Sequence, residues 1–119
     1  MFSSGRHFWD VIVGGRRRWH VGVTSKPVNF KKVHEQTRQW QIWELNGRYT
    51  AISPSGRSEL VLSERPTRIR ISLNCEGGQV SFLDAKTAAL LHTFSDASLV
   101  GETLLPYFYL SEGACMILP

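Results

Sequence analysis

The segment TRIRISLNC, Thr67 to Cys75, sets Ile69, Ile71, Leu73 and Cys75 on one side and Arg68, Arg70, Ser72 and Asn74 on the other. Side chains of a strand point alternately to its two faces, so this spacing predicts a half-buried antiparallel strand. Glu76-Gly77-Gly78 follows, and GQVSFLD then alternates again. Two β-patterned runs around a glycine-rich turn are what a hairpin requires.

The same period predicts strands at His7–Val13, Trp19–Thr24, Trp40–Leu45, Arg48–Ile52, Leu60–Leu62, Ala89–Phe94, Leu104–Leu110 and Cys115–Leu118. Between them stand the turn signals Gly14-Gly15, Asn46-Gly47, Pro54-Ser55-Gly56, Arg65-Pro66 and Glu112-Gly113. Many short strands with short connections indicate an all-β sandwich or barrel rather than a βαβ fold. Asp84–Leu91, DAKTAALL, offers a helical turn, but a hairpin connection suits its neighbours better. Gly14 to Arg18 is expected to be a hairpin between adjacent strands, with its arginines at a solvated tip. The longer connections, Ser25–Gln39 and the stretch from Ser53, are where a rigid β scaffold tends to carry binding residues. Pro106 lacks a ladder donor, which places its strand at an edge or a bulge.

A chain of 119 residues suits a single domain with its own core. No apolar run approaches the roughly 18 residues of a membrane span, and MFSSGRHFWD lacks the apolar centre of a signal peptide. Fourteen Lys and Arg against ten Asp and Glu give a net charge of +4, short of the dense basic face of a dedicated nucleic-acid binder. Cys75 and Cys115 form no CxxC pair, which disfavours a zinc site or a disulfide scaffold and fits a reducing compartment.

FSSGRHFWDV (Phe2–Val11), WHVGV (Trp19–Val23), the Trp40 strand with LNGRY (Leu45–Tyr49), SLNCEGGQVSFLDA (Ser72–Ala85), LLHTF (Leu90–Phe94) and LLPYFYL (Leu104–Leu110) stand in one order and spacing. Together they resemble the SPRY half of the PRY-SPRY domain of tripartite-motif ubiquitin ligases and butyrophilins. The resemblance implies a bent antiparallel β-sandwich, a concanavalin-like jelly roll, whose variable loops frame a recognition surface. It implies a single SPRY-like domain over residues 1–119, lacking the upstream PRY segment, and a cytoplasmic setting. Where the family usually has Leu-Asp-aromatic-Glu, this chain has Leu73-Asn74-Cys75-Glu76, with no large ring at the third position.

Alternation sends Trp19, Val21 and Val23 into the core and His20 to the opposite face. In WQIWEL, Trp40 and Ile42 share one face while Trp43 and Leu45 take the other. The resemblance points to Trp40 as core and to His20 and Trp43 as partner contacts; an exposed indole combines apolar area with one N–H donor, as interface hot spots do. The alternatives are a solvated His20 and a Trp43 packed under the Ser25–Gln39 loop. Lys31, Lys32, His34, Arg48 and Tyr49 are expected around that surface, with Glu112 in the last variable loop facing a basic partner. Arg68 and Arg70 read as a solvated face without a role.

Catalysis has no foothold in these motifs. There is no GxSxG turn, HExxH pair or GxxxxGK[ST] loop, Cys75 shares the apolar face of its strand, and His7, His20, His34 and His92 are dispersed. The expected function is therefore non-catalytic binding of a target protein or peptide, without a cofactor or metal, in the manner of the substrate-selecting part of a ubiquitin ligase. A second reading is binding of nucleic acid or a small phosphorylated ligand through Arg16–Arg18, Lys31 and Lys32. It is weakened because Thr50 stands where phosphate-binding butyrophilins place an arginine. A third reading is self-association or pairing with a PRY segment.

Overall fold

The computed structural model describes residues 5–14, 18–27, 38–62, 64–95, 102–109 and 115–117, with backbone alone at 26, 27, 102, 103, 107–109 and 115–117. Ten strands carry the fold: β1 (Arg6–Ile12), β2 (Trp19–Pro27), β3 (Arg38–Leu45), β4 (Arg48–Ser53), β5 (Gly56–Leu60), β6 (Arg68–Asn74), β7 (Gln79–Asp84), β8 (Leu90–Phe94), β9 (Glu102–Tyr109) and β10 (Cys115–Ile117). They form two five-stranded sheets, β10-β1-β6-β7-β8 and β5-β4-β3-β2-β9, with every pairing antiparallel. Of the sandwich or barrel that the period-two pattern left open, the antiparallel sandwich implied by the family resemblance is the fold observed.

One core lies between the sheets. The first contributes Trp9, Val11, Ile69, Ile71, Leu73, Val80, Phe82 and Phe94, and the second Trp19, Val21, Val23, Trp40, Ile42, Ala51 and Leu104. The inward residues of β6 are the alternating apolar set Ile69, Ile71 and Leu73. Cys75 joins the core, and burial pushes its thiol above the usual range, so it behaves as a small hydrophobe.

Between β3 and β4, Asn46 (φ 51°) and Gly47 (φ 83°) make a two-residue loop with both central residues left-handed, the geometry that matches strand twist. Beneath it the buried Glu44 carboxylate accepts the Gly47 N–H at 2.7 Å and the Arg18 N–H at 2.6 Å. The connection from β7 to β8 is the expected hairpin, with Ala88 at φ 62°. Strand β9, with Pro106, is an edge strand as anticipated.

Three expectations are corrected. Gly14 to Arg18 is not a hairpin connection, because β1 and β2 lie in different sheets. Val13 and Gly14 both donate to the Thr67 carbonyl at 2.9 Å, which holds the end of β1 at the start of β6. The strand expected at Leu60–Leu62 is β5, ending at Leu60. Arg57, Ser58 and Glu59 are all exposed there, so its alternation carries no hydropathy contrast. Arg68 and Arg70 are not idle, for they clasp the buried carboxylate of Asp10 at 2.9 and 2.8 Å, and Arg70 makes a second bond at 3.1 Å.

The Arg70 hydrogen bond, followed by the charges of both guanidiniums, holds the Asp10 carboxyl below the usual carboxylate range against the opposing effect of burial. A lowered folded-state pKa contributes stability above the unfolded value of about 3.9, and that stability is lost as pH falls through the folded value. The arginine side chains are 44% and 43% exposed, so solvent screening reduces the pair's contribution. Asp10→Asn is expected to cost about 1 kcal/mol at neutral pH and to flatten the acid limb of the stability curve. Urea denaturation at neutral pH and below pH ~4 checks both.

The family motif ending in Glu76 has a specific task here. Both Glu76 carboxylate oxygens accept the Gly5 N–H, at 2.8 and 2.9 Å, while the Cys75 N–H donates to the Gly5 carbonyl at 3.0 Å. Asn74, in place of the family's aspartate, accepts the Gly77 N–H at 3.0 Å and so still shapes the turn.

Candidate functional site

The outer face of the second sheet collects the candidates. Cross-strand register sets His20 of β2 opposite Trp43 of β3, and Trp43 opposite Thr50 of β4. The imidazole and indole stack with centroids 4.2 Å apart and planes 8° from parallel. From the β5 side, the Arg57 guanidinium lies 5.7 Å from the Trp43 ring centroid. The indole is thus steadied by one neutral and one cationic planar group while remaining half-buried.

Below the indole runs a polar ladder along β3. Trp43 Nε1–H donates to Gln41 Oε1 at 2.7 Å, and Gln41 Nε2 donates to Gln39 Oε1. Gln41 is 1% exposed, so its carboxamide is a fixed support that sets the indole's orientation. Gly22, opposite Gln41 on β2, is required by close approach: a Cβ there would run into the Trp40 carbonyl oxygen and lie 2.8 Å from Gln41 Cα. Burial lowers the His20 pKa below its ordinary value, so at neutral pH the ring is uncharged and offers stacking and hydrogen bonding rather than charge.

The face extends past Trp43 to Leu45, which is 54% exposed, and to its register partner Arg48, also exposed. His20 and Trp43 are brought into contact, and Arg48 lies at the same end. Tyr49 does not belong to the surface. It is buried on the inner side of β4, its ring centroid 6.0 Å from that of Trp19, because alternation along RYTAIS pairs it with Ala51. Lys31, Lys32, His34 and Glu112 lie outside the described residues, as do Arg16 and Arg17.

Leu45 was expected on the face of Trp43 but not as a contact, and Gln41 and Arg57 were not anticipated as parts of this face. Leu45 and Gln41 share the parity of Trp43 in WQIWEL, which was the available signal. Arg57 had none, since its strand was placed too late in the chain. The arrangement offers an apolar, planar platform with hydrogen-bonding edges and one flanking cation, which suits binding. Among the described residues no group of three or more His, Cys, Asp or Glu is placed to hold a metal ion, and no helix is long and apolar enough to cross a membrane.

The SPRY domain family matches residues 6–118. E3 ubiquitin-protein ligase TRIM58 of Mus musculus is 36% identical over 121 residues, covering 99% of this chain and 24% of that protein. Nuclear factor 7, ovary, of Xenopus laevis is 38% identical over 110 residues, covering 89% of this chain and 18% of that protein. Butyrophilin subfamily 1 member A1 of Homo sapiens is 38% identical over 112 residues, covering 92% of this chain and 21% of that protein. The chain therefore spans a quarter or less of the length of these curated relatives. The crystal structure of the TRIM65 PSpry domain superposes with a TM-score of 0.74 at 19% identity, covering 99% of this chain and 64% of that one, a likeness of fold. With the sandwich, the SGRH strand held by Glu76 and a match over nearly its whole length, this chain belongs to the SPRY domain family.

Proposed function

We propose that this chain is a non-catalytic recognition module that binds a target protein or peptide on the outer face of the second sheet, with Trp43 as anchor and His20 as its support. The observation that carries this reading is the stacked His20–Trp43 pair, held from below by Gln41 and continued by exposed Leu45. An indole whose orientation is already fixed loses little side-chain entropy on binding, and aromatic anchors of this kind dominate interface energies. Arg48 and Arg57 flank the apolar centre, with exposed Glu59 opposite Thr50 in the row of Trp43, so the rim offers charges of both signs around it. Likeness to an E3 ubiquitin-protein ligase supports a substrate-selecting role in a longer protein, and the resemblance to tripartite-motif ubiquitin ligases supports a cytoplasmic setting.

Trp43→Ala is expected to weaken a partner captured by the wild-type chain by about 2 kcal/mol or more, roughly thirtyfold, with the domain still folded. Affinity capture with the wild type and with the double mutant His20→Ala, Trp43→Ala, followed by calorimetric titration of the recovered protein, measures this. Equal affinity in a folded mutant removes this face from the site. An affinity that falls steeply with salt would favour the nucleic-acid or phosphorylated-ligand reading instead.

A further inference from the structure

The other side of the sandwich carries a second surface of different chemistry. On the outer face of the first sheet, register places Phe8, Ser72, Ser81 and Thr93 in one row and Arg6, Asn74 and Gln79 in the next. Phe8 is 48% exposed, with Arg70 over one part of its ring at 5.2 Å. Beside it is a polar pocket of about 190 Å³ lined by Arg6, Ser72, Asn74, Gln79 and Ser81 together with Leu73.

The charges of this face have a net positive balance. Among its described residues the guanidiniums of Arg6, Arg68 and Arg70 stand against two carboxylates: Asp10, whose two oxygens are taken by Arg68 and Arg70, and Glu76, whose two oxygens accept the Gly5 N–H and whose charge Arg6 also feels. The Asn74 side-chain oxygen is engaged by Gly77, which leaves its amide hydrogens as donors. What the pocket has to offer is therefore a guanidinium, carboxamide N–H groups and a Ser72 hydroxyl, next to an exposed ring. That set complements a carboxylate accompanied by an apolar side chain. Arg6 and Phe8 are two residues apart on one strand, which spaces their side chains by about 7 Å, the same interval that separates alternate side chains of an extended peptide.

We propose that this face docks an extended acidic peptide segment in which an Asp or Glu stands two residues from an aliphatic or aromatic side chain. The carboxylate enters the pocket against Arg6, Asn74 and Gln79, and the apolar side chain lies on Phe8. The site is independent of the His20–Trp43 face, on the opposite sheet, so a domain could hold two partners at once.

The test is fluorescence anisotropy of the 119-residue chain with a fluorescein-labelled peptide built on a Leu-x-Glu core, alongside the Leu-x-Gln peptide. Saturable binding is expected, about tenfold weaker for the Gln peptide and about tenfold weaker with Arg6→Gln or Phe8→Ala, while His20→Ala, Trp43→Ala leaves it unchanged. Arg6 and Phe8 are solvent-exposed, and an unaltered melting curve confirms that each variant is folded; Gln79→Ala, also exposed, provides a further probe of the pocket. The proposal is overturned by no saturable binding up to about 1 mM, by equal affinity for the two peptides, by loss of binding in the His20, Trp43 double mutant alone, or by full displacement with inorganic phosphate at the peptide's own concentration.

Discussion

Gly22→Ala should be among the most damaging single substitutions this chain can undergo, despite adding only one methyl group. The new Cβ would collide with the Trp40 carbonyl oxygen and sit 2.8 Å from Gln41 Cα and 3.0 Å from the Trp40 carbonyl carbon. All three atoms are backbone, in the strand to which β2 is hydrogen-bonded, so no rotamer change relieves the overlap and the two central strands must part. A loss of about 3 kcal/mol or more is expected, a fall in Tm on the order of 10 °C for a domain of this size, read by thermal denaturation followed by circular dichroism. Gly47→Ala is the informative contrast. Gly47 has nothing within 4 Å of its would-be Cβ and differs only in its φ of 83°, so its cost is confined to about 1 kcal/mol of backbone strain.

Glu44→Ala is the second large effect. Its buried carboxylate accepts two backbone N–H groups, one from Arg18 at φ 59° and one from Gly47 in the left-handed turn. Truncation leaves both donors without that acceptor and opens a void beside Trp19 and Tyr49, its register neighbours on β2 and β4. Arg18 and Gly47 are exposed, so water takes over part of what the carboxylate supplied, and a total of about 2 kcal/mol is expected in urea denaturation. Glu44→Gln retains one acceptor oxygen and should recover roughly half of the loss. Equal losses for the two variants would show that packing, not the hydrogen bonds, sets the effect.

The legible part of this structure was whatever alternation could encode. Trp19, Val21 and Val23 inward and His20 outward follow from parity, as do Trp40 inward and Trp43 outward. Tyr49 was a failure of a different kind: it was expected at the surface, but along RYTAIS it shares the parity of Ala51, and the core took it. Strand β5 escaped because polar residues on both of its faces give a period of two nothing to modulate. The crossing from β1 to β2 escaped because glycine-rich turns suit a hairpin locally, whereas the choice of sheet is made by Thr67 and β6, far along the chain. The same distance hid the Asp10 clasp, since nothing near Arg68 or Arg70 in sequence announces a carboxylate.

The order of strands also bears on how the chain comes off the ribosome. Strands β2 to β5 pair with their sequence neighbours, so their part of the second sheet can close within microseconds of being made. Strand β1 is instead hydrogen-bonded to β6 and β10, so although its apolar side, with Trp9 and Val11, packs toward the second sheet, its β6 edge waits until Arg68–Asn74 has been translated. At about 5–20 residues per second, that edge goes without this partner for several seconds. The arginines at Arg68 and Arg70 then arrive with its first partner strand and dock on Asp10, so one event supplies both the edge that covers β1 and the charges that lock its register.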